Sequence, residues 1–120
     1  MKGHSHAVLS VCFSPDSTLI LTIGYDNLAI IWDAKTGVMI GEPLKGHSDY
    51  INCANFSPDG TRIVTGSSDS FGIIWDAKTG AIIGEPLKRH SEGICTISFS
   101  PNGRQIVTGS YDSLAMIWDA

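Results

Sequence analysis

Apolar residues along this chain fall in short runs bounded by Gly, Pro, Asp and Ser, and none of the runs repeats with the 3.6-residue period of a helix. In the middle of the chain, Tyr50 to Phe56 has strand-like composition, and Ser57-Pro58-Asp59-Gly60 then places Pro and Gly where a tight turn wants them. Arg62 to Gly66 is rich in β-branched residues and predicts a second strand, Ser67 to Ser70 a second turn, and Phe71 to Trp75 a third strand ending at Asp76. Lys78-Thr79-Gly80 turns once more, and Ala81 to Gly84 adds a short fourth strand ahead of Pro86. The local prediction is a four-stranded antiparallel meander. Strands of a one-sided sheet alternate apolar and polar residues, whereas Leu28-Ala29-Ile30-Ile31-Trp32 and Ile63-Val64 are apolar at consecutive positions. Both faces of each sheet should therefore be covered.

The meander is written three times. Trp32-Asp33, Trp75-Asp76 and Trp118-Asp119 are each 43 residues apart, and the same step relates His4, His47 and His90. It also relates the turns Ser14-Pro15-Asp16, Ser57-Pro58-Asp59 and Ser100-Pro101-Asn102. A repeat of this length marks supersecondary units that cannot bury their apolar faces alone and must stack on copies of themselves. Sheets covered on both faces by their own copies suggest radial blades, the β-propeller arrangement. The expected blades are residues 1–44, 45–87 and 88–120, all β, the last lacking its outer strand.

Composition narrows the function classes. With 120 residues, 42% apolar and 17% charged, the chain suits one globular domain. No apolar run approaches the ~20 residues of a membrane helix, so a membrane partner is not expected. A net charge of −4 with only eight Lys and Arg, scattered apart from Lys88-Arg89, offers no basic stripe for nucleic acid. Cys12, Cys53 and Cys95 occupy three different places in the unit and share no geometry for a disulfide or a metal. Met1-Lys2-Gly3-His4 leads straight into the repeat, and with the odd thiol count this gives a cytosolic or nuclear address as the expectation.

Other chemistry is weakly signalled. His4-Ser5-His6 lacks the three or four ligands of a metal site, and no metal or other cofactor is expected. Ser14, Ser57 and Ser100 before Pro are what a type I turn prefers, which outweighs reading them as phosphorylation targets. Asn55-Phe56-Ser57 matches a glycosylation acceptor but sits on a first strand ahead of Pro58, and no phosphate-cradling Gly-rich loop is present.

The Gly-His opening, the Ser-Pro-Asp-Gly turn and the closing Trp-Asp resemble the WD-repeat β-propeller family across essentially the whole chain. The phrase Trp75-Asp76-Ala77-Lys78-Thr79-Gly80, continuing to Gly84-Glu85-Pro86-Leu87-Lys88, is similar to arrays in fungal receptor-like proteins that carry a nucleotide-binding switch domain. The resemblance implies a buried network in each blade: His4, Thr22, Asp26 and Trp32; His47, Thr65, Asp69 and Trp75; His90, Thr108, Asp112 and Trp118. Buried polar groups are costly unless paired, and these four side chains can satisfy one another. His-Thr-Asp repeated in every blade with a Trp reads as structure rather than as a catalytic triad. Two departures stand out: Ile23-Gly24 replaces Gly66-Ser67 and Gly109-Ser110, predicting a differently shaped first turn, and Arg89 replaces Gly3 and Gly46 before His90.

The resemblance also implies protein or peptide binding across one end of the propeller, through Ala7, Leu9, Tyr25, Tyr50, Asn52, Ser68, Gly93, Cys95 and Tyr111. Tyr25, Tyr50 and Tyr111 stand out, because Tyr supplies contact area and a hydroxyl at low entropy cost. A non-enzymatic recognition scaffold is favoured over an enzyme with a channel active site, since no unusual acid, base or nucleophile breaks the repeat on the inner strands. A purely structural or oligomerising array is the third reading. Three blades leave two flat apolar faces, from which head-to-tail self-association is expected, two copies making six blades, unless the missing blades belong to a longer chain.

Overall fold

The computed structural model describes residues 1–120 as nine strands and no helix. They are β1 (Val8–Phe13), β2 (Leu19–Gly24), β3 (Ala29–Asp33), β4 (Ile51–Phe56), β5 (Arg62–Ser67), β6 (Gly72–Asp76), β7 (Ile94–Phe99), β8 (Gln105–Ser110) and β9 (Ala115–Asp119). Consecutive strands pair antiparallel into three separate sheets, β1-β2-β3, β4-β5-β6 and β7-β8-β9. Register repeats with the sequence: Ile20 faces Trp32, Ile63 faces Trp75 and Ile106 faces Trp118.

The expected fourth strand is not a regular one. Met39 and Leu44 bridge singly to Trp32 and Ala29, and Ile82 and Leu87 to Trp75 and Gly72. Between those bridges Gly41 and Gly84 adopt φ of +67° and +70°, and Pro43 and Pro86 have no N–H to give, so a continuous ladder cannot form there. The blades are three-stranded sheets edged by a kinked outer segment. That segment still covers the Trp of its sheet, for Trp32 and Trp75 are buried while Trp118, which has no such segment beside it, is half-buried.

The sheets stack through their faces, β4 packing on β1 and β2, and β7 on β4 and β5. Leu21, Ile23 and Ile31 of the first sheet form one core with Ile51, Phe56 and Ile63 of the second. Val64 and Ile74 of the second form another with Ile94, Ile97 and Ile106 of the third. Consecutive apolar positions on β2, β3, β5 and β6 are thus explained, since one side chain lines the junction ahead and the next lines its own blade or the junction behind. The outer faces differ: β1 and β9 are mostly exposed.

Candidate functional site

Four side chains meet at the corner of each blade. In the second, the His47 imidazole lies 2.9 Å from Asp69 through Nδ1 and 2.7 Å from the Thr65 hydroxyl through Nε2, while the Trp75 indole N–H donates to that hydroxyl at 2.9 Å. A carboxylate only accepts, so Nδ1 carries the proton, Nε2 accepts from the Thr65 O–H, and the Thr65 oxygen accepts from the indole. Every N–H and O–H donor of this relay has an acceptor. The third blade repeats the set with His90, Asp112, Thr108 and Trp118, and the first with His4, Asp26, Thr22 and Trp32. Each Asp also accepts the backbone N–H after its histidine, from Ser5, Ser48 and Ser91. The network ties the approach segment to the turn between the second and third strands.

The sequence departures change this corner little. Ser67 and Ser110 use their hydroxyls to hold the N–H of Asp69 and Asp112, bonds that Gly24 cannot make. A Cβ at Gly24 would lie 2.7 Å from His4 Nδ1, and without one Asp26 closes on the imidazole with both oxygens, at 2.9 and 3.1 Å. The pairing of β1 with β2 keeps the register of the other blades, so the first turn differs in its side-chain bonds rather than in its frame. A Cβ at Gly3 would lie 2.7 Å from Met39 and one at Gly46 2.9 Å from Trp75, whereas the Arg89 guanidinium spreads over the Trp118 ring at 5.7 Å.

Burial opposes ionisation of Asp26, Asp69 and Asp112, but the histidine and the backbone N–H groups outweigh it and hold all three carboxyls below their ordinary value. The Ser-Pro-Asp turns behave alike. Bonds from Thr18 and Ser14 bring Asp16 down to about 2, and bonds from Thr61 and Ser57 bring Asp59 down to about 2. A carboxyl whose folded value is depressed adds stability that is full above its unfolded value of about 3.9 and is lost as pH falls through the folded value. Unfolding followed by the fluorescence of Trp32 and Trp75 should therefore show stability level above about pH 5 and falling steeply between about pH 4 and pH 2. Equal denaturation midpoints at pH 6 and pH 2.5 would contradict this.

At the end of the blades marked by these corners lies a cleft of about 600 Å³ lined by His6, Ala7, Tyr25, Tyr50 and Asn52. Tyr25, just ahead of the network Asp26, meets Tyr50, which leads into the next blade's first strand, edge to face at 4.9 Å between ring centres. The rings remain 42% and 47% exposed. Leu9, Asn52 and Cys95 share one peculiarity: each is the extra residue where pairing of the first strand shifts, between Val8 and Ser10, Ile51 and Cys53, and Ile94 and Thr96. Such a bulge frees a side chain from the ladder and re-aims it. Asn52 uses that freedom to donate to the Ser68 hydroxyl and to the Ile94 carbonyl of the third blade, both at 3.0 Å.

The expected rim is brought together in part. Ala7, Tyr25, Tyr50 and Asn52 share the cleft; Ser68 abuts Gly93, where a Cβ would stand 3.0 Å from the Ser68 Cα; Cys95 is exposed on β7 and Leu9 on β1. Tyr111 stands apart beside Gly93, 68% exposed. Sequence reasoning missed His6 as a lining residue. Its signal is the 43-residue step, which aligns His6 with the acidic Asp49 and Glu92, so that the first blade departs at this position while the corner beside it does not.

The family description "WD domain, G-beta repeat" matches residues 1–33, 38–76 and 82–119. A stretch of 40 residues is 45% identical to Ribosome assembly protein 4 of Chaetomium thermophilum, covering 33% of this chain and 8% of that protein. The crystal structure of RRP9 WD40 repeats superposes on 99% of this chain with a TM-score of 0.93 at 22% identity, a likeness of fold. The chain spans 37% of that structure. Three matched repeats that include every corner His, Thr, Asp and Trp establish that the chain belongs to the WD40 family.

Proposed function

We propose that the chain is a non-enzymatic recognition scaffold whose blades present one end, centred on the Tyr25–Tyr50 cleft, to a peptide or protein segment. The observation that carries this reading is the cleft itself. It spans two blades, it is polar and aromatic at once, and it lies on a frame pinned by two buried networks. Exposed aromatic pairs with a hydroxyl at one end suit an extended peptide, which needs both apolar contact and hydrogen bonds. The corner His-Thr-Asp sets are spent on one another and on the indole, which argues against an acyl-transfer site there. The likeness to a ribosome assembly protein is compatible with a scaffold in the cytosol or nucleus, but it covers too little of that protein to carry its role across.

Selection of a random peptide library on the folded chain tests the proposal. Peptides enriched on it should bind at least about tenfold more weakly once Tyr25→Ala and Tyr50→Ala are combined, at unchanged circular dichroism, as expected for central aromatic anchors. A library that enriches nothing, or peptides indifferent to both substitutions, would favour the purely structural array instead.

A further inference from the structure

The open faces of the first and third sheets are the two halves of a junction that the chain already builds twice. Inside the chain, Leu21 and Ile31 are buried with Ile51, Phe56 and Ile63, and one repeat later Val64 and Ile74 are buried with Ile94, Ile97 and Ile106. One further step of the repeat puts Val107 and Ile117 in the places of Val64 and Ile74, and Ile117 is 67% exposed where Ile74 is 7%. One step back puts Val8 and Phe13 in the places of Ile51 and Phe56, and Phe13 is 64% exposed where Phe56 is 9%. Large apolar side chains thus persist at solvent-facing positions whose equivalents are buried. Each face is also grooved. A hollow of about 340 Å³ includes Ser98, Phe99, Gln105, Val107 and Ile117 in its lining, and one of about 320 Å³ lies among Met1, Val11, Cys12, Phe13 and Ile20.

The polar groups match as well. At the second junction the Asn55 amide donates to the Ile97 carbonyl at 2.8 Å, and Arg62 donates to the Gly103 carbonyl at 2.7 Å while its guanidinium covers the Phe99 ring at 5.1 Å. In the next step Ser98 and Gln105 stand where Asn55 and Arg62 stand, each again carrying a donor, and the positions facing them are the Val11 carbonyl, the Ser17 carbonyl and the Phe13 ring.

We propose that a second copy of this chain covers these faces head to tail, the third sheet of one copy packing on the first sheet of the other with Phe13 seated beside Gln105 and Val107. Among possible occupants, a first sheet carries at Val8 and Phe13 the apolar positions that Ile51 and Phe56, and Ile94 and Phe99, use at the two internal junctions. The contact is heterologous, so it uses both faces at once and a pairing of like faces would satisfy neither. It also brings Tyr111 of one copy against Ala7 of the other, as Tyr25 lies against Tyr50, so that the Tyr111 end of the rim is completed only between copies.

Two single substitutions on exposed side chains test this without disturbing the fold: Phe13→Glu blocks the first face and Ile117→Lys the third. By sedimentation at micromolar concentration the unaltered chain should have at least twice its 12.8 kDa mass. Each variant alone should be a monomer, its self-association weakened about a hundredfold or more by the unpaired charge the contact would bury. An equimolar mixture of the two should form a dimer, because each retains the face that the other needs. A monomeric unaltered chain overturns the proposal, as does either variant that still associates alone, which would mean like-face contact or pairing along the β9 edge. A mixture that stays monomeric overturns it too.

Discussion

Replacing Thr65 with Val should destabilise the chain by about 2–4 kcal/mol, although Val keeps the shape and β-branching of Thr. Thr65 is fully buried, and its hydroxyl is the shared partner of the His47 Nε2 and the Trp75 N–H. Its removal strands an acceptor and a donor where water does not reach, and each such group costs roughly 1–3 kcal/mol. For a domain whose total stability is typically about 5–15 kcal/mol this is a large loss. Thr65→Ser, which restores the oxygen, should recover most of it. Thr108→Val should cost less, because Trp118 is half-buried and its indole has a path to solvent. Urea midpoints of the three variants measure all of this. A Thr65→Val midpoint within error of the Thr65→Ser midpoint would show that the hydroxyl holds nothing.

Ile94→Ala should cost about 2–5 kcal/mol and release the third blade ahead of the other two. Ile94 is fully buried at the second junction, so close to β5 that a Cβ on Gly66 would stand 2.6 Å from its Cγ2. Truncation leaves a cavity between sheets that share no ladder of strand pairing. In a stack where each unit touches only its neighbours, such damage stays at its junction. Hydrogen exchange should then show faster exchange in β7, β8 and β9 while β1 to β6 keep their protection. Val8→Ala, the equivalent change on the exposed first face, should leave the stability of the single chain within about 0.5 kcal/mol of its starting value. Equal loss of protection in all nine strands would mean the junctions are not separable.

Much of the frame was readable from residue order. The three inner strands of each unit lie within a residue or two of where the β-branched runs and the Ser-Pro turns put them, because those turns depend on local chemistry alone. The outer strand was misjudged for the opposite reason. Ala81-Ile82-Ile83 has strand composition, but Gly84 at positive φ and Pro86 break its ladder, so it pairs with β6 only at isolated points while it covers Trp75. The bulges at Leu9, Asn52 and Cys95 left no trace in composition, since a bulge is a property of two strands in register. Of the cleft, Ala7, Tyr25, Tyr50 and Asn52 were legible only through family resemblance, and His6 was not. That Tyr25 and Tyr50, 25 positions apart, touch while Tyr111 stands alone follows from which blade succeeds which.

The constant 43-residue step with unchanged pairing has a genetic consequence. Every interface joins a unit to its successor through the same positions, so a coding region that loses or gains one whole unit by misaligned recombination creates no interface of a new kind. A gain or loss of one whole unit would thus leave the internal junctions of one kind and change only how many blades stand between the two exposed end faces.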